Sequence, residues 1–372
     1  MITNKALGIV FANVNDNLVS ELTKVRSIAS VPFGARYRLV DFALSNLVNA
    51  GINKVGVITR ENYRSLMDHL GSGKPWDLDR KNNGLFILPP YSTVNSGVYR
   101  GYVDALSGVM TFLTRSNEEL VVLCDGNIVG NIDVSAMIKK HIETCADVTI
   151  AYKNGKPPKS ANDTMLLSFD ENDTVTDITF NEEVSGKMDF GLAVLVVTRK
   201  KLIELITEAD KNRYINFATE VLKPSLHSLK IVGYKQQGFC EVIDSNETYV
   251  TVSKKLLDKN VRKELFNKER PIYTKTRDDM PTRYGINAKV ENSLVADGCV
   301  IEGTVKNSIL FRGAQVGAGA VVEDCIVMQG GKIEKGAKLQ WVTMDKNCTV
   351  GEEFELRGTA RKNIFVSKDK TV

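Results

Sequence analysis

Over the last 87 residues, 286–372, apolar side chains return every six positions. Val295 and Ile301 are six apart. So are Leu310, Val316 and Val322, then Val327, Ile333 and Leu339, then Met344, Val350 and Leu356. Glycine and small residues fill the intervals, as in "VGAGAVV" and "IEKGAKL". A six-residue period fits neither the alternation of a half-buried strand nor the 3.6 of a helix. It marks a left-handed parallel β-helix of hexapeptide repeats, in which each inward residue stacks on the one a coil before. Four sets in register argue against a β-sandwich with accidental spacing.

The preceding chain has a different rhythm. Apolar runs at Ala6–Ala12, Lys54–Ile58, Leu120–Cys124 and Val148–Tyr152 read as strands. Helical patterns cover Leu39–Ala50, closed by Gly51, then Asn62–Leu70, Val103–Thr114 and Val134–Thr144. Strands alternating with helices of this length predict βαβ units and a mostly parallel sheet. Beyond residue 160 the shorter strands Met165–Ser168 and Phe190–Val197 predict a sheet extension. Residues 257–285 are charged, carry two prolines and lack long periodicity. They read as a linker. The expected organisation is an α/β domain at 1–256, a linker at 257–285 and a β-helix at 286–372.

Composition narrows the partners. A net charge of +4 is too weak to imply nucleic acid. No apolar run approaches the roughly 18 residues of a membrane span. Six scattered cysteines without a C-x-x-C pair, and only three histidines, argue against a zinc site. With no secretion signal, they predict reduced thiols and a cytoplasmic location.

The first strand leads into "NVNDN", residues 13–17, where a nucleotide-binding fold carries its phosphate loop. Such a loop uses glycine so that backbone N–H groups can close around phosphate without a Cβ in the way. This loop has none.

The segment "VPFGARYRLVDFALSNLVNAGINKVGVIT", 31–59, is similar to a motif of the bacterial glucose-1-phosphate adenylyltransferase (ADP-glucose pyrophosphorylase) family. "VYRGYVDAL" at 98–106, "VVLCDGNIV" at 121–129 and "RPIYTKTRDDMPTRY" at 270–284 resemble further family segments in the same order. The resemblance implies a Rossmann-like nucleotidyltransferase domain followed by the β-helix. In that family, glucose 1-phosphate attacks the α-phosphorus of ATP, and charge must be neutralised around the transferring group. The family supplies a G-G-x-G-x-R loop, a lysine, two magnesium-binding aspartates and a sugar-phosphate lysine.

Carried onto this chain, those positions are occupied differently. The loop glycines fall on Asn13, Val14 and Asp16, the arginine on Leu18 and the catalytic lysine on Ile28. The magnesium aspartates fall on Asn127 and Val242, and the sugar-phosphate lysine near Asn181. The resemblance is therefore to the family's non-catalytic subunit type: a regulatory, catalytically degenerate chain in glycogen biosynthesis, with no catalytic residue, metal or cofactor of its own. Magnesium would be required only by a catalytic partner subunit, in a hetero-oligomer that family analogy makes a tetramer. Asp125, two residues before Asn127, leaves open a rebuilt and active nucleotidyltransferase site. A sugar-phosphate-binding scaffold is a further alternative. A hexapeptide acyltransferase is disfavoured, since 286–372 contains no histidine.

Other family features persist. "KVRSIASVPFGARYR", 24–38, holds Lys24, Arg26, Arg36 and Arg38 and no acid. Positions matching Arg26 and Arg38 belong to the family's allosteric site for phosphorylated effectors, although Val25 and Pro32 replace its lysine and histidine. Arginine forks suit phosphate. Arg312 is expected as a third contact, binding an effector or inorganic phosphate in the interdomain cleft. Tyr99, Gly101 and Asp104 keep the outline of a vestigial nucleotide pocket. Gly101 and Asp104 also suit a helix start, where the dipole favours acid.

Overall fold

A computed structural model describes residues 5–14, 16–90, 99–158, 164–180 and 186–372. The position matching the sugar-phosphate lysine, Asn181, lies outside them, as do Asn15 and Val98.

Among the described residues the N-terminal sheet has nine strands. Along its main path they run Val175–Thr179, Leu166–Phe169, Met188–Thr198, Leu120–Asp125, Ala6–Phe11, Lys54–Ile58 and Gly84–Leu88. Val148–Gly155 joins Met188–Thr198, and Ile231–Lys235 joins Val148–Gly155. Ala6–Phe11 is central and parallel to both neighbours. All six of its residues are buried because helices cover both sheet faces. Gly8 lets the helix Leu39–Asn49 approach closely: a Cβ there would stand 2.7 Å from Leu47 Cδ1. Gly51 closes that helix at φ 77°, its N–H donating to Val48 O.

Three sequence expectations need correction. The helix expected over Val103–Thr114 is two helices, Tyr102–Gly108 and Met110–Thr114. The break follows Gly108, whose missing Cβ leaves room for the Tyr99 hydroxyl. The helix expected from Asn62 starts at Arg64, because Asn62 sits at φ 51°, a left-handed conformation that cannot begin a right-handed helix. The segment 257–285 is not irregular throughout. Asp258 accepts from the Asn260 N–H and starts a helix over Lys259–Leu265, which buries Leu265.

From Arg283 the chain coils into three parallel sheets of five strands each. Successive hexads pass from sheet to sheet. Leu310, Val316 and Val322 therefore lie on three different sheets, all buried. Along one sheet Ile301, Val316, Ile333 and Val350 stack in register. The six-residue spacing thus encodes one face per repeat and three faces per coil.

The two parts share an apolar core. Val19, Leu22, Ile28 and Tyr249 cluster with Ile309, Phe311, Ile326 and Met328. At its edge Lys254 Nζ donates to Asp324 Oδ1 and lies 3.2 Å from the centre of the Trp341 ring.

Candidate functional site

The central strand Ala6–Phe11 ends between Lys54–Ile58 and Leu120–Asp125, at the carboxyl edge where open α/β sheets bind ligands. The loop that follows is tied to its surroundings. Asn13 Nδ2 donates to Asp16 Oδ2 (2.7 Å) and to Glu61 O (3.1 Å), while Asn13 Oδ1 accepts from the Arg60 N–H (2.8 Å). Asp16 Oδ1 accepts from the Ile28 N–H at 2.9 Å. Asp16 is thus an acidic residue bordering the outer cavity of this cleft, about 270 Å³, also bordered by Val14, Thr59 and Tyr99. Burial raises its carboxyl above the usual range, while the bonds from Asn13 and Ile28 pull it down. Leu18 is 37% exposed and offers no charge. Ile28 is fully buried in the apolar core shared with the β-helix, so no cation stands where the family lysine would.

An inner cavity of about 100 Å³ opens beside it, with Phe11, Val14, Tyr102 and Asn216 on both walls. Asp125, Asn127 and Val242 all border it. The positions matched to the two magnesium aspartates are therefore neighbours in space, but one is an amide and the other a hydrocarbon. Asn127 Nδ2 donates to Ile243 O at 2.9 Å, and Tyr102 OH donates to Asp125 Oδ2 at 2.7 Å. Burial pushes the Asp125 carboxyl up to about 7, the Tyr102 bond opposing it. Among the described residues, no group of three or more His, Cys, Asp or Glu is arranged to hold a metal.

Tyr99 and Gly101 line the outer cavity. Gly101 caps the helix Tyr102–Gly108 and has a further constraint: a Cβ would lie 2.5 Å from Ile215 O. Asp104 accepts from the Arg100 backbone and guanidinium, which hold its carboxyl below the usual range. Its role here is a helix-start ion pair.

Between the sheet domain and the β-helix lies a basic cavity of about 590 Å³. Arg26, Arg38, Arg64, Lys275, Arg277 and Lys346 line it, with Asp68 as its acidic residue. A smaller adjoining space adds Arg36 and Arg312. The expectation that no acid neutralises Arg26 holds only along the chain. Asp345 of the β-helix accepts two bonds from it, at 2.8 and 2.9 Å, and both side chains are buried. Arg38 Nη1 donates to the Ser65 backbone and hydroxyl. Burial and the neighbouring Arg26 and Arg277 lower its guanidinium to about 10 despite Asp41. Arg312 is buried, its Nε 3.7 Å from Asp279 and 4.0 Å from Asp297.

Sequence reasoning missed Arg64, Lys275, Arg277 and Lys346. They come from three separate segments, around 64, 275–277 and 346, and no local pattern links them. Burial beside Arg38 and Arg26 drops the Lys346 ammonium to about 7, Asp345 opposing. His69, read as a surface or core histidine, lines the same cavity, with Nε2 2.6 Å from Asp41 Oδ1. Asp41 also accepts the Arg38 N–H and so caps the helix Leu39–Asn49.

The α/β sheet, its emptied phosphate loop and the β-helix define a nucleotidyltransferase fold without the charges of its chemistry. The family described as "Nucleotidyl transferase" matches residues 18–179, and "GlmU-like, C-terminal hexapeptide" matches 279–363. The glycogen biosynthesis protein GlgD of Bacillus subtilis (strain 168) is 34% identical over 99% of this chain and 97% of its own length. That of Geobacillus stearothermophilus is 37% identical over 86% of this chain and 83% of its own. A glucose-1-phosphate adenylyltransferase of Clostridium perfringens (strain 13 / Type A) is 28% identical over 98% and 95%. The chain belongs to the glucose-1-phosphate adenylyltransferase family, on its GlgD-type branch.

Proposed function

We propose that this chain is a regulatory, catalytically degenerate subunit in glycogen biosynthesis. It modulates a catalytic glucose-1-phosphate adenylyltransferase subunit that makes ADP-glucose from ATP and glucose 1-phosphate. The observation that carries the reading is the loop. Asp16 puts an acid and a bonded side-chain network where a triphosphate needs bare N–H groups. Loss of single transition-state donors costs about 10²–10³ in rate, and several are replaced here.

The chain acts within a hetero-oligomer with that partner, a tetramer by family analogy. Its effector cavity is the basic one between the domains, taking a phosphorylated effector or inorganic phosphate. Arg38 faces the ligand, and Arg312 backs it from the smaller adjoining space. Arg26, already paired with Asp345, contributes mainly by holding the cavity wall. The supporting observation is the excess of cations around Asp68, the single lining acid among the described residues.

The test is ADP-glucose synthesis by the purified chain, alone and mixed with a catalytic homologue. Alone it yields no product above background; the mixture shows an altered response to effector. Metal-dependent turnover by the chain alone, abolished by Asp125→Ala, would overturn the reading in favour of a rebuilt site. Light scattering that finds no mixed species at any ratio would remove the partner.

A further inference from the structure

Lys346 enters the effector reading as one cation among several, but its chemistry differs from theirs. It sits on a turn just after the strand Val342–Met344. Bonds on both sides hold that turn. The Lys346 N–H donates to Asp345 Oδ1, the Lys346 carbonyl accepts from the Asp369 N–H, and the Asn347 N–H donates to Gln329 O. From this fixed point the half-buried side chain lines the basic cavity.

Its surroundings are crowded with positive charge. Arg38, Arg26 and Arg277 press on the amine, and Asp345 counters them. Arg26 already engages both Asp345 oxygens. Arg64, Lys275 and Lys368 add cations to the lining, against Asp68. His69 there is turned to Asp41, and the adjoining space adds Arg36 and Arg312. Among the described residues nothing accepts a hydrogen bond from Lys346 Nζ.

A guanidinium so placed keeps its charge, whereas an amine gives up its proton. Near neutral pH part of Lys346 is therefore uncharged amine, a nucleophile made by desolvation beside other cations. Its reaction partner follows from the charge. Acylation would give a neutral amide and leave the cations unbalanced. Carbon dioxide gives an anion. The nitrogen lone pair bonds to the carbon, one C=O pair moves to oxygen, and a nitrogen proton leaves to solvent, so that R–NH2 and CO2 become R–NH–COO⁻ and H⁺. The new carboxylate matches the paired N–H groups of a guanidinium.

We propose that Lys346 is a carbamylation site: carbon dioxide adds to its amine, and Arg38 and Arg277 of the same cavity hold the carbamate. The modification needs neither a partner subunit nor a phosphorylated effector. Its consequence, competition with other anions, rests on the reading of this cavity as the effector site.

The test is carbon-13 NMR of the full chain with labelled carbon dioxide and bicarbonate at about pH 7.5. Trapping with a trialkyloxonium salt and peptide mass spectrometry then locate the adduct. A carbamate resonance distinct from bicarbonate is expected, and the trapped adduct maps to Lys346. An ordinary lysine, with a pKa of about 10.4, remains ammonium at this pH and does not react. An α-amino group also forms a carbamate and is told apart by its peptide. Lys346→Arg keeps the charge and abolishes the adduct. Arg277→Gln weakens carbon dioxide binding about tenfold. At fixed dissolved carbon dioxide, occupancy rises between about pH 6 and pH 8 as the amine loses its proton. The proposal fails if no adduct forms, if it survives Lys346→Arg, if it spreads evenly over surface lysines, or if Arg277→Gln binds unchanged. The wild-type map reads the site even where a variant does not fold. Sulfate is expected to lower the occupancy. An adduct on Lys346 that sulfate leaves untouched would uphold the modification and sink the effector reading of the cavity.

Discussion

The Arg26 guanidinium and the Asp345 carboxylate form two parallel hydrogen bonds, at 2.8 and 2.9 Å, between residues 319 positions apart. The pair fastens the segment after the phosphate-loop position to a turn of the β-helix. Both side chains are nearly inaccessible, 2% and 6% exposed. Removing one partner strands a buried charge, which typically costs about 3–5 kcal/mol. Arg26→Ala and Asp345→Ala are each expected to lower stability by that order in urea unfolding. Arg26→Met combined with Asp345→Leu, which removes both charges and keeps volume, is expected to cost less than either. A double variant as unstable as the sum of the singles would refute the coupling.

Lys346 gives anion binding a pH dependence. Its folded-state pKa, about 7, lies below the ordinary lysine value of 10.5 because of burial beside Arg38 and Arg26. An anion in the cavity favours the protonated form, so binding takes up a proton between about pH 7 and pH 10. Sulfate keeps its charge over this range. It is expected to bind more tightly at pH 6.5 than at pH 8.5, with the difference abolished in Lys346→Met. Calorimetry in buffers of different ionisation enthalpy reads the proton directly.

Asp125 has the opposite signature. Its folded pKa, about 7, is raised above the ordinary 3.8, so the native state holds a proton that the unfolded chain has lost. Stability therefore falls as pH rises from about 4 to 7. The full three-unit shift would correspond to at most about 4 kcal/mol. Asp125→Asn removes the titration. Its unfolding free energy relative to wild type should improve between pH 4 and pH 8, and denaturant titrations at those two values check it.

Gly101 tests the cleft's geometry. A Cβ would lie 2.5 Å from Ile215 O, a backbone atom that cannot swing aside. Gly101→Ala is expected to destabilise by about 1–3 kcal/mol, as overpacking does. Thermal melting that matches wild type would show that the segment carrying Ile215 yields.

The β-helix was legible because stacking imposes its period on the sequence directly: Val316, Ile333 and Val350 must each be apolar to fill one column. The central strands were legible for the same reason, since a strand covered on both faces has no polar position. The replaced phosphate-loop and metal positions could be named because they lie in segments that resemble family segments. The basic cavity could not. Lys275 and Lys346 become neighbours of Arg38 only through the folded arrangement of two domains, and Asp345 lies far along the chain from the arginine it neutralises. The break after Gly108 escaped notice because the residue that packs against it, Tyr99, comes from outside the helix and leaves no mark on its period. Among the described residues the Oδ1 atoms of Asp125 and Asn127 have no partner, and a string of letters does not record that either.

The bonds of Asp16 make the loss of chemistry self-reinforcing. A glycine returned to position 16 would give up its bonds to Asn13 and Ile28 and gain nothing, because Ile28, Asn127 and Val242 would still supply neither cation nor metal. That step back toward a phosphate loop runs downhill in stability before any turnover could reward it. The loop works as a ratchet: the side chains that fill the phosphate-loop position are themselves part of the scaffold.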